Sequence, residues 1–384
     1  MDAALVASVP YDVVTTTEAK SLAAGNPKSF LHVSRPEIDL PDGTECSSEA
    51  AYRQAKAALD KLIAEGTLIR DGEAKFYAYR QTMGSHSQTG IVATFDTKDY
   101  LGGVLKQHEK TRKDKEDDRT RHIETLSAHT GPAFLTYRDD RAIDEIVSAA
   151  CRREALYDFV ADDGIRHTVW EIARASDCMA DELEELFARI PTAYIADGHH
   201  RSAAASRFAK EHNFEGESRW FLAVIFPASQ LRILAYNRLI QDLNGLSSEE
   251  FMAKVAKNFK IGERGARNCR MYFKGEWVNL SWEIPAGASV VEALDVSYLQ
   301  DKLLAPVLGI GDPRTDKRIA FMGGIRGEEA LAKEVDEGKY AVAFSMEPVT
   351  VEEVMSIADA GEIMPPKSTW FEPKLRSGLF VHTI

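Results

Sequence analysis

The stretch YIADGHHRSAAASRF, residues 194–208, passes from an apolar strand into an alanine-rich helix through a single glycine. A chain that makes this change in one residue is committed to packing a helix against a sheet. Gly198 sits where the backbone must turn sharply, a position that favours positive φ. Ala203, Ala204 and Ala205 give the helix a flat side for close packing. Its first turn offers unpaired N–H groups and the positive end of a dipole, which together attract anions. Arg201 adds a planar fork for phosphate oxygens, and His199 and His200 add two donors. Asp197 ends the strand, where catalytic acids and magnesium ligands project in α/β proteins. These residues predict a phosphate cradle with one carboxylate beside it, suited to a magnesium-bound nucleotide.

Two other arrangements stay open. Asp197, His199 and His200 could ligate a transition metal. Adjacent helical histidines diverge by about 100°, so a further ligand such as His108 would be needed. Alternatively the motif is a capped helix with a satisfied histidine pair.

The remaining pattern mixes strands and helices without strict βαβ alternation, so the fold class expected is mixed α/β (α+β). With 384 residues the chain exceeds one ordinary core. We expect an N-terminal α/β region over 1–245 and a C-terminal α/β region over 246–384, packed as one unit. A helix capped by Thr16 or Thr17 should end at Gly25, and SSEAAYRQAKAALDKLIAEG should form another, capped by serine. KFYAYRQ and GIVATF read as two strands joined by the polar loop TMGSHSQT. RWFLAVIF and LRILAYNRL read as an antiparallel pair around PASQ.

The formal charge of −13 disfavours a nucleic-acid partner. Four scattered cysteines without a CxxC pair argue against a zinc ribbon or a disulfide framework. WFLAVIFPA is too short to span a bilayer, and MDAALVASVP has no basic n-region, so the expected setting is cytoplasmic.

Two further segments carry candidate chemistry. In QHEKTRKDKEDDRTRH, His108 ends an apolar helix face, Glu109 is a candidate general base and Arg112 a candidate phosphate ligand. Charges of both signs alternate from Asp114 to Arg121, which reads as a solvated helical face, above all over Lys113 to Asp117. In IMPPKSTWFEPKLRSGL, Lys367, Ser368 and Thr369 offer a cation and two hydroxyls, followed by Lys374 and Arg376 against one acid, Glu372. That local excess of positive charge suits an anion, although Trp370, Phe371 and Leu379 could equally dock the segment as plain structure. Glu37, beside Pro36, is a second candidate base.

VPYDVVTTTEA, GNPKSFLHVSRPEIDLP, YAYRQ, HEKTRKDKEDDR, YIADGHHR and MPPKSTWFEPKLRSGL occur in this order. Together they resemble the domain-of-unknown-function 1015 family over nearly the whole chain. The DGHHR segment alone is similar to the motif of ADP-dependent free-serine kinases with the ParB/sulfiredoxin-like fold. That likeness implies a ParB/sulfiredoxin-like core with an additional mixed-sheet lobe. It further implies that Asp197, Gly198, His199, His200 and Arg201 lie at nucleotide phosphates. The kinase's catalytic glutamate is N-terminal, with Glu37 and Glu109 the positions open here, and the family's association is with serine biosynthesis.

The expected function is therefore phosphoryl transfer from ATP or ADP, with Mg2+, to a small hydroxyl substrate such as serine. Asp197 would hold the metal or the hydroxyl, and Lys367 would neutralise developing charge. The alternatives are a regulator that binds a nucleotide or phosphoserine without chemistry, and a metal-dependent hydrolase.

Overall fold

The computed structural model describes residues 2–173 and 178–384. The chain forms two compact units, Met1–Leu231 with Pro373–Ile384, and Arg232–Glu372. The last residues of the chain thus rejoin the first unit, and the MPPKSTWFEPK motif divides after Glu372.

The strands of the first unit are β1 Lys75–Met83, β2 His86–Asp96, β3 Leu105–Lys106, β4 Ala128–His129, β5 Ala133–Tyr137, β6 Tyr157–Val160, β7 Arg166–Ala173, β8 Ala193–Asp197 and β9 Trp220–Pro227. All but β4 join one mixed sheet in the order β3-β8-β5-β9-β2-β1-β7-β6. β3 runs parallel to β8, and β5 parallel to β9; the other pairs are antiparallel. The fold class is mixed α/β.

The expected polar loop between β1 and β2 is mostly strand. Met83 pairs with His86, so only Gly84 and Ser85 turn, with Gly84 at φ +60°. The polar residues 86–89 alternate faces of a ladder that satisfies their backbone, which outweighs their weak strand propensity. The helix Thr16–Ala23 begins one residue earlier than expected, because Thr15 forms the reciprocal capping box with Glu18. Ser48 caps Glu49–Ala64 as expected.

The helix His199–Glu211 lays Ala204, Ala205 and Phe208 onto the sheet, in one core with Ile195, Leu135 and Ile123. Each large apolar side chain buried in this way stabilises the fold by about 1.5–3 kcal/mol. The small alanines let the helix axis approach the strand that precedes it, which fixes where the helix starts. A second cluster, Val6, Phe30, Val33, Leu59, Leu62 and Leu126, seats the N-terminal helices.

The C-terminal residues are tied into the same unit. His382–Thr383 pairs antiparallel with β4, and Ser8 and Ser377 exchange backbone hydrogen bonds. Gln81 Nε2 donates to the Lys374 carbonyl at 2.8 Å. Gly378, at φ +90°, leaves room for Phe30, whose Cβ would lie 2.7 Å from any side chain added there.

In the second unit, an antiparallel six-stranded sheet includes Tyr236–Ile240 between Ile319–Gly323 and Val342–Met346. The expected hairpin around PASQ does not form. β9 pairs with β2 and β5, while Ile233–Leu234 pairs with Trp370–Phe371. Both segments are apolar enough to be central strands, and local pattern cannot tell which sheet completes them.

Candidate active site

β8 and β5 fall out of register between Phe134 and Leu135: Leu135 faces Ile195, and Phe134 faces Asp197. The extra residue is a bulge, which turns the strand end and re-aims its last side chain. Gly198 follows at φ +93° and opens the helix. A Cβ at Gly198 would meet the Arg201 guanidinium, with Nε at 3.1 Å and Cζ at 3.2 Å. Glycine is therefore needed twice, for the turn and for the arginine that folds back over it. No side chain caps this helix, so its first amides face whatever occupies the turn.

Lys374 and Asp197 form the ion pair of the site. Lys374 Nζ donates to Asp197 Oδ2 at 2.7 Å, and the Gly198 N–H donates to Oδ1, also at 2.7 Å. Arg201 Nη2 stands 3.8 Å from Oδ1, and Arg201 Nη1 donates to the Pro132 carbonyl. Burial alone would raise the Asp197 carboxyl; the Lys374 ammonium and then the Arg201 guanidinium outweigh it and hold the group below the usual carboxylate range. Asp197 is thus a charged anchor that positions Lys374 and the turn.

The three histidines part company. His108 and His199 meet inside, ring centroids 4.5 Å apart and nearly perpendicular. Burial pushes His108 down to about 4 and His199 well below its ordinary value, so both are neutral at pH 7. His199 is 5% exposed, and its Nε2 is buried with no hydrogen-bond partner. His200 turns the other way, where its Nε2 accepts the Arg112 backbone N–H at 3.1 Å. That contact leaves the ring proton on Nδ1. Arg112 itself spends its guanidinium on Asp114, at 3.1 and 2.9 Å, in solvent. Its tie to the motif runs through the backbone.

The two candidate bases lie in the first unit. Glu109 is half-buried beside His108. Glu37 is buried: Oε1 accepts from Thr16 at 3.1 Å and pairs with Arg35 at 2.9 Å, while Oε2 has no hydrogen-bond partner. Lys367, Ser368 and Thr369 belong to the second unit. There Lys367 sits over the Tyr236 ring at 5.3 Å, and Ser368 Oγ donates to the Pro365 carbonyl at 2.6 Å. The lysine that meets Asp197 is Lys374. In the sequence Lys374 stands out only within the local excess of cations, and the charge-neutralising role falls to Lys367, because nothing local shows that the segment divides between units after Glu372. Lys113, Asp114 and Lys115 are exposed as expected, but Asp118 and Arg119 turn inward and pair at 2.8 Å.

The sequence matches the family described as protein of unknown function, DUF1015, over residues 1–297. The chain belongs to that family. No curated protein sequence matches it. Among solved structures, this DUF1015 chain is similar to a free serine kinase in complex with AMP, with 13% identity and a TM-score of 0.38 over 73% of this chain and 86% of that one. It is also similar to a conserved hypothetical protein from Pyrococcus furiosus, with 13% identity and a TM-score of 0.37 over 74% and 93%. SbnI with a C-terminal truncation, from Staphylococcus aureus, gives 11% identity and a TM-score of 0.42 over 76% and 87%.

Among the described residues of this DUF1015 chain, no group of three or more His, Cys, Asp or Glu side chains is placed to hold a metal ion. His199 and His200 diverge, His199 packing on His108 and His200 accepting the Arg112 N–H. No helix among them is long and apolar enough to cross a membrane. A surface hollow of about 460 Å3 lies against the helices Arg141–Ala150 and Met179–Phe187, but Glu145, Glu182 and Glu185 make its lining unsuited to phosphate.

Proposed function

We propose that this chain is a nucleotide-dependent phosphotransferase that moves a phosphoryl group from ATP or ADP to a small hydroxyl substrate, with free serine the first candidate. The observation that supports this reading is the uncapped helix start at Gly198, with Arg201 folded over it and the Asp197–Lys374 pair beside it. The helix amides and Arg201 would hold phosphate oxygens, and Lys374 would add positive charge near the transferring group. Asp197 would act as a positioning residue through Lys374. Magnesium would arrive on the nucleotide's own phosphates, with one or two carboxylates at most needed from the protein.

The acceptor hydroxyl must lose a proton as its oxygen bonds phosphorus and the bond to the leaving phosphate breaks. Glu37 is the better placed base, since its buried Oε2 keeps a free lone pair. Arg35, which pairs with it, also reaches the Tyr11 carbonyl at 3.4 Å, and Tyr11 lines the same hollow as Arg201. Glu109 is the second candidate. The test is incubation of purified protein with ADP or ATP, serine and magnesium, with phosphoserine detected by mass spectrometry. Turnover that falls at least about 100-fold in Glu37→Gln, with nucleotide binding retained, supports the assignment. Absence of both turnover and nucleotide binding refutes it.

One observation favours a regulator instead: Arg35 already neutralises Glu37. Nucleotide binding without turnover, unchanged in Glu37→Gln and lost in Arg201→Ala, would select that second reading.

A further inference from the structure

A second feature of the first unit lies beside the helix start. Tyr11, Ser34, Arg119, His122, His129 and Arg201 line a hollow of about 40 Å3. That volume holds about three water-sized groups. It is far too small for a nucleotide and large enough for the polar head of a small metabolite.

The lining offers donors and acceptors together. Arg119 directs Nε and Nη2 to Asp118, at 3.0 and 2.8 Å, and its guanidinium lies over the Tyr11 ring at 4.1 Å. Arg201 Nε and Ser34 Oγ are buried without hydrogen-bond partners. So are the Nε2 atoms of His122 and His129, whose side chains are only 4% and 7% exposed. The rings of His122 and His129 hydrogen bond to the Val33 and Trp220 backbones respectively. Their partnerless nitrogens are Nε2, so the bonded proton sits on Nδ1, and each Nε2 presents a lone pair. Burial, reinforced by Arg119 beside His122 and by His382 beside His129, keeps both rings neutral.

Charge sharpens the choice of guest. Asp118 balances Arg119, and Lys374 balances Asp197, which leaves Arg201 as one excess cation. One excess charge matches a single carboxylate better than a doubly charged phosphate monoester. Two inward lone pairs repel bare anion oxygens and call for N–H donors. Leaving such buried groups unmatched costs about 1–3 kcal/mol each. We propose that this hollow binds the head of a small α-amino acid, its carboxylate toward Arg201 and Ser34 and its ammonium toward His122 and His129. The hollow's role as the acceptor subsite rests on the phosphotransferase reading above; the binding itself does not.

Gly131 gives a direct handle. A Cβ there would lie 3.3 Å from Ser377 Oγ and 3.9 Å from Arg201 Nη1, so Gly131→Ala narrows the hollow and requires Ser377 Oγ to give way slightly. The experiment is calorimetric titration of the full chain, without nucleotide, with L-serine, L-alanine, ethanolamine, lactate and inorganic phosphate. Serine and alanine should bind, while ethanolamine and lactate, each lacking one charged group, should bind at least about tenfold more weakly. Gly131→Ala should weaken serine by a similar factor, and Ser34→Ala by a few-fold, with melting temperatures confirming that both variants fold. No amino-acid binding, phosphate binding more tightly than serine, or serine binding untouched in both variants would each overturn the proposal. ADP titrated in parallel separates the two readings. ADP binding without serine binding overturns this inference alone, whereas serine binding without ADP binding or phosphoserine supports it and overturns the phosphotransferase.

Discussion

Lys374 Nζ lies 2.7 Å from Asp197 Oδ2, joining residues 177 positions apart in the chain. The contact closes the first unit on itself, since Lys374 belongs to the segment that returns after the second unit. It places an ammonium at the turn that opens the DGHHR helix.

Replacing Lys374 with methionine should therefore do more than remove one surface charge. The side chains of Lys374 and Asp197 are 13% and 25% exposed, so the variant strands a mostly desolvated carboxylate. We expect a loss of about 2 kcal/mol in chemical denaturation at pH 7, below the full cost of breaking a wholly buried pair. The pH dependence follows from the depressed Asp197 carboxyl. Its stabilisation is fully present above the ordinary aspartate range and fades as pH falls through the lower folded value. The gap between wild type and Lys374→Met should close progressively below about pH 4. A gap that is constant down to pH 2.5 would show that the pair is not the cause.

Buried neutral histidines should set the stability of the first unit in mild acid. Burial lowers His108 to about 4, and His122, His129 and His167 to about 3. Each takes up a proton on unfolding once pH falls below its ordinary value near 6.5. Stability should then decline by up to about 1.4 kcal/mol per pH unit for each such group. For His108 the loss runs from about pH 6.5 down to about 4. His108→Gln, destabilised at pH 7, should converge on wild type across that window in urea melts. Parallel curves would mean that His108 is charged or exposed.

What the sequence allowed, and what it did not, divides along physical lines. The turn at Gly198 was legible because glycine followed by an alanine run has few other uses, and the structure places it at φ +93°. The neutral pair His108–His199 was half legible. His108 is buried as expected, but not on the expected helix face, because the helix ends at Leu101 and His108 follows the short strand Leu105–Lys106. Nothing local said that another histidine would meet it. Arg119 and Asp118 read as solvated because their neighbours are charged, yet a mutual ion pair lets both turn inward. Lys374 and Gly131 reach the site through long-range β pairing and a returning C-terminus, and no window along the chain contains those contacts.

Gly198→Ala tests the turn itself. The substitution forces a side chain into positive φ and against the Arg201 guanidinium at 3.1–3.2 Å. We expect a cost of about 1–3 kcal/mol, as for other non-glycine residues in that region. Nucleotide affinity should fall with it, because Arg201 must move. A variant of wild-type stability and affinity would show that the left-handed turn is dispensable.

The most direct measurement is calorimetric titration of ADP, with magnesium, into the full chain and into Arg201→Ala. The account predicts saturable one-site binding by wild type, weakened at least about tenfold in the variant by loss of a charge-assisted phosphate contact. Absence of saturable binding to wild type, or identical affinity in Arg201→Ala, would contradict it.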